Sequence, residues 1–167
     1  MSPLPTIRPF LSLAALALLA AAPLLGPPHI KVEQVGRDVP VPTPGAVLRV
    51  TGDHHQDNNE PTVTGRAEGL RNGKRITLPL VLTPTSTHGQ FGVSTQWTAG
   101  TPWVLVFTVA QEGHGEFGTA EGVVRVDARG AIVGIDHPKA TNARGDRYGR
   151  RITDKEVNAA LGHPAGR

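Results

Sequence analysis

Between Ala46 and Asp136 apolar residues recur at every second position, and this alternation constrains the fold more than any other feature. Ile76, Leu78, Leu80 and Leu82 alternate with Thr77, Pro79, Val81 and Thr83, the pattern of a half-buried strand with one face toward a core. Pro79 cannot donate to a ladder, so that strand belongs at an edge or a bulge. Phe91, Val93, Thr95 and Trp97 line one side of the next strand, opposite Gly92, Ser94 and Gln96. The run from Trp103 to Val109 is apolar on both faces and reads as a central strand. Further strands are expected at 46–51, 61–68, 117–127 and 131–136.

The punctuation between these runs fits hairpins. Arg71-Asn72-Gly73-Lys74 carries the Asn-Gly pair that accepts positive φ, and Asp127-Ala128-Arg129-Gly130 places Gly130 for a second tight turn. The chain has 20 Gly and 15 Pro, residues that helices tolerate poorly and turns require. The expected fold is therefore all-β: an immunoglobulin-like antiparallel β-sandwich of about seven strands, with a small barrel as the structural alternative. Trp97, Trp103, Phe91 and Phe107 are the large side chains expected in its core.

Both ends of the chain depart from this pattern. In residues 1–22 a single charge, Arg8, precedes the apolar run from Phe10 to Ala22. A positive residue, a short apolar stretch and small residues make a signal peptide, with a retained N-terminal anchor or a buried helix as alternatives. Either of the first two places the domain outside the cytoplasm. Residues 23–45 read as a linker, with Pro40, Pro42 and Pro44 fixing an extended, semi-rigid course or an edge strand. The sandwich domain spans 46–138. Residues 139–167 form a basic tail with seven Lys or Arg against three acids, mostly solvated. It contains one short helix, since Thr153 and Glu156 have capping-box spacing ahead of Val157, Ala160 and Leu161 and Gly162 is a natural stop. That helix is too short to persist alone and must dock on the sandwich or await a partner.

The absence of cysteine excludes disulfides, thiolate catalysis and Cys-ligated metals. Beyond Ser12, the serines Ser86 and Ser94 sit in no nucleophile elbow, and the glycines of 113–118 lack the following helix that a phosphate loop requires. Asp127 and His137 complete no triad that spacing supports, so the chain is expected not to be an enzyme. The seven histidines carry the remaining chemistry. His54 and His55 open a loop with Asp57 and Glu60, His88 sits in the loop 85–89, and His114 lies between Glu112 and Glu116. Imidazole with carboxylate suits copper(II), nickel(II) or zinc, so His54, His55, His88 and His114 are the candidate ligands of a copper or zinc site. Such a site must assemble from several loops at one end of the sandwich, because adjacent histidines on extended chain point to opposite sides. The plainer reading, which the residues favour, makes His54, His55 and His114 exposed loop residues and His88 a turn-side residue satisfied by backbone. Calcium is disfavoured by the absence of a spaced Asp-x-Asp-x-Asp-Gly loop. His137 reads as a turn-side residue, and His29 and His163 fall in the terminal segments.

Three stretches carry a family likeness: Gly73-Lys74-Arg75-Ile76-Thr77-Leu78-Pro79-Leu80, Gly89-Gln90-Phe91-Gly92-Val93 and Gly100-Thr101-Pro102-Trp103-Val104-Leu105-Val106. Over residues 61–126 the chain resembles the YtkA-like and CopC-like families of exported immunoglobulin-like β-sandwiches. The resemblance implies an extracytoplasmic sandwich and, in some members, copper handling. The chain departs from the copper members in having no histidine at the start of the sandwich read here and no methionine beyond Met1. The function expected is an exported, non-enzymatic binding or accessory module of the cell envelope. Its partner would be an envelope protein or surface ligand, with membrane contact through residues 1–22 and no nucleic acid. The alternative is a periplasmic metal-binding protein.

Overall fold

The computed structural model describes residues 28–53, 62–111 and 118–162. In it the chain is mostly β, with strands β1 (His29–Gln34), β2 (Ala46–Asp53), β3 (Thr62–Arg71), β4 (Lys74–Pro79), β5 (Thr83–Pro84), β6 (Gln90–Ser94), β7 (Trp103–Ala110), β8 (Thr119–Val126), β9 (Ile132–Asp136), β10 (Lys139–Thr141) and β11 (Arg147–Gly149), and the helix α1 (Asp154–Ala160). One antiparallel sheet has the order β1-β2-β6-β5 and a second the order β4-β3-β7-β8-β9, while β10 and β11 form a separate hairpin. The two larger sheets pack face to face. Val32, Leu48, Val50 and Val93 of the first meet Ala67, Trp103, Leu105, Phe107, Val124 and Val126 of the second in one buried cluster.

Period two decides which residues face that cluster. Along β2 the burial alternates strictly, with Ala46, Leu48 and Val50 inside and Val47, Arg49 and Thr51 half-buried on the other side. β7 lies third in the five-stranded sheet and is buried on both faces, as its unbroken apolar run required. β4 is an edge strand that ends at Pro79, after which the Leu80 amide donates to the Gly65 carbonyl at 2.9 Å. The Asn72-Gly73 turn has φ of 53° and 73° and joins Arg71 to its register partner Lys74. At the second turn, Asp127 Oδ1 accepts from the Arg129 and Ala131 amides while Gly130 takes φ 87°. Glycine at 69 has a packing reason: a Cβ there would lie 2.6 Å from the Trp103 ring.

Several expectations are corrected. The stretch read as linker contributes β1, which pairs with β2 from His29↔Asp53 to Gln34↔Leu48, so the fold opens before Ala46. Its prolines Pro40, Pro42 and Pro44 lie outside any strand, in the connection between β1 and β2. The strand read through Trp97 stops at Ser94, and Trp97 is buried from a bend, its Nε1 donating to the Gly130 carbonyl at 3.2 Å. Phe91 is half-buried rather than a core residue, because it sits near the start of β6 opposite the two-residue strand β5. The tail is not mostly solvated: it contributes the β10–β11 hairpin, and its helix docks on the five-stranded sheet, one of the two outcomes expected for it. Residues 1–22, read as a signal or anchor, lie outside the described residues.

Candidate functional site

The outward face of the five-stranded sheet is set by register. Arg66 and Glu68 of β3 oppose Val106 and Val104 of β7, while Glu121 and Val123 of β8 oppose Thr108 and Val106. This places two carboxylates, an arginine and three valines on one surface. The surface is buried, because the C-terminal segment crosses it: Val157 and Leu161 of α1 pack with Val104, Val106 and Val123.

Buried carboxylates are costly unless fully hydrogen-bonded, and both are. Glu68 accepts from Arg66 Nε (3.1 Å), Arg75 Nε (3.0 Å) and Thr77 Oγ1 (2.7 Å). Burial alone would push its carboxyl up, but the bonds from Arg75, Thr77 and Arg66 hold it below the usual range. Glu121 accepts from Arg66 Nη1 (3.3 Å) and Thr108 Oγ1 (3.0 Å), and from the Ile152 amide at 2.6 Å. That last bond pins the tail to β8. A second anchor runs from Arg75 Nη1 to Asp154 at 2.8 Å.

The helix start is built as the sequence indicated. The Glu156 amide donates to Thr153 Oγ1 and the Thr153 amide donates to Glu156 Oε2, completing a capping box. Arg150 extends it, its Nη1 and Nη2 reaching the Glu156 carboxylate at 2.9 and 2.6 Å. Arg150, with Thr153, draws the Glu156 carboxyl down to about 2.

Between this segment and the edge of the five-stranded sheet lies a groove of about 360 Å³. Val123, Ile152 and Ala160 give it apolar surface; Arg125 with Asp136 and Arg150 with Glu156 supply two ion pairs. His137 and Pro138 complete the wall. The His137 Nε2 accepts from the Val32 amide of β1 at 3.2 Å, tying the end of β9 to the edge strand of the other sheet. Burial, then Lys139, keeps this imidazole below its usual range, against an upward pull from Asp136. Sequence reading assigned His137 only a turn-side role; nothing local indicates a bond across 105 positions.

Of the four candidate ligands, His54, His55 and His114 lie outside the described residues. His88 lines a smaller cleft of about 80 Å³ with Thr85, Thr87, Gln90 and Phe91. The strand ends that flank the four histidines share one end of the molecule. The Gly52 amide donates to the Gly89 carbonyl at 2.9 Å, next to His88. A Cβ on Gly52 would meet Val63 and Val109, close to the start of β3 and the end of β7. Register then pairs Thr62 with Ala110 and Ala110 with Thr119. His29, read as part of a terminal segment, opens β1 opposite Asp53. Among the described residues, no three His, Asp or Glu side chains group as metal ligands, and no helix is long and apolar enough to cross a membrane.

No family model, curated protein or solved structure matches the chain.

Proposed function

We propose that the chain is an exported, non-enzymatic binding or accessory module of the cell envelope, an immunoglobulin-like sandwich that holds an envelope protein or surface ligand in the groove beside α1. The observation that carries this reading is the groove itself: a volume of about 360 Å³ with apolar wall from Val123, Ile152 and Ala160, bordered by two ion pairs. Its size is that of ligand sites, and its lining joins apolar wall to the charged and polar groups Arg125, Asp136, His137, Arg150 and Glu156. The N-terminal apolar run supports export, and the likeness of residues 61–126 to the YtkA-like and CopC-like families supports an envelope setting. Ala160 is exposed at the groove, so Ala160→Trp fills it without touching the core. Full-length protein should retain a partner from envelope extract that Ala160→Trp loses. Equal retention by both would remove the groove from the function.

A second reading, a copper(II)- or zinc-binding protein using His54, His55, His88 and His114, is supported by the shared end of the strands that flank them. Calorimetric titration with copper(II) or zinc should give micromolar binding that His54→Ala/His55→Ala abolishes. Binding weaker than about millimolar would end this reading.

A further inference from the structure

The two large sheets meet at a seam where the edge strand β1 runs past the end of β9. Val32 is buried there, and Gly122 of β8 lies so close that a Cβ on it would be 2.5 Å from Val32 Cγ2. In register Val32 pairs with Val50, yet its amide donates outward, to His137 Nε2 at 3.2 Å. A histidine from one sheet therefore caps an edge amide of the other. Accepting that bond requires Nε2 to carry no proton, so the ring is the neutral Nδ1–H tautomer.

We propose that His137 is an acid-released latch holding β1 against the five-stranded sheet. Protonation turns Nε2 into a donor facing another donor, and the two N–H groups cannot share the seam. The bond must break, and the Val32 amide loses its acceptor in a buried setting where that loss is costly. β1 is the first strand of the described residues and lies at an edge of its sheet, where local opening does not require the rest of the sheet to unfold.

The surroundings favour the neutral ring at neutral pH. Lys139 follows on β10 and Lys31 approaches from β1, both opposing a charge on His137, while Asp136 at the end of β9 favours one. Across the groove, Arg125 of β8 is held by Asp136, and Arg150 by Glu156 at the start of α1. Burial and Lys139 thus weigh most against a charge on the ring; Lys31 is itself paired with Glu33 at 2.7 Å, as Asp136 is with Arg125. Acid, rather than rearrangement of a neighbour, is the signal that releases it.

Native-state amide exchange on the full chain, corrected for intrinsic rates, tests this. Protection of the Val32 amide should fall at least about tenfold between pH 7.5 and pH 5, while the Leu105 and Phe107 amides of β7 stay unchanged. His137→Gln supplies an acceptor that does not titrate, so Val32 protection should become independent of pH. His137→Phe should lower it at both pH values. Ring nitrogen shifts should report the Nδ1–H tautomer at pH 7.5. A wild-type Val32 amide with pH-independent protection, or a His137→Gln protein that keeps the acid-dependent loss, would overturn the proposal.

Discussion

Glu121 shows how much a single side chain does in this protein. Its two oxygens serve three donors from three parts of the chain: Arg66 on β3, Thr108 on β7 and the Ile152 amide of the tail. Truncation to Ala leaves the Ile152 amide and the Thr108 hydroxyl without an acceptor beneath the helix. Breaking a buried ionic network in this way costs about 3 kcal/mol. Glu121→Ala should therefore shift the urea midpoint strongly downward. Glu121→Gln keeps an acceptor oxygen and should lose less, about 1–2 kcal/mol. If both variants unfold at the wild-type midpoint, the carboxylate does not hold the tail. The residue was legible only as one more charge in a strand; its burial follows from a partner 31 positions away.

At the level of elements, α1 is the clearest case of a local signal completed by distant contacts. The Thr153–Glu156 capping box was readable from spacing alone, and it forms. Seven residues are too few for a stable helix in isolation, so the helix depends on Val157 and Leu161 meeting Val104, Val106 and Val123. Two contributions should then separate experimentally. Thr153→Ala removes the cap and costs about 1 kcal/mol, seen as faster amide exchange confined to α1. Val157→Ala leaves a cavity on the sheet and should lower the global midpoint as well. Identical effects of the two changes on the global midpoint would contradict this division. The hairpins followed the same logic as the cap, since Asn72-Gly73 and Gly130 require positive φ that few residues supply. β1 was missed although Ile30 and Val32 alternate with His29, Lys31 and Glu33, because so short a run beside a proline-rich stretch was absorbed into the linker; β2 supplies the ladder that makes it a strand.

The whole molecule combines these groups in its response to acid. A histidine whose folded pKa lies below its unfolded value of 6.5 contributes stability that is complete above that pH and declines as pH falls beneath it. Glu68 and Glu156 are depressed below 4.5, Glu156 to about 2, so their contributions are complete above pH 4.5 and are lost below it. The thermal midpoint should accordingly fall in two steps, one below about pH 6.5 and another below about 4.5, with His137→Gln removing the first alone. A midpoint flat from pH 7.5 to 5 would contradict the contribution of His137.

The sequence by itself determined what depends on neighbours in the chain: alternation, the two positive-φ turns, the central place of the Trp103–Val109 run, and the helix cap. Backbone sterics and side-chain direction settle these within a few residues. Tertiary structure alone decided that β1 joins a sheet, that Glu68 and Glu121 lie under a helix, and that His137 reaches Val32. Each of those requires groups many positions apart to be desolvated together, and burial of a polar atom has no signature in the residues beside it.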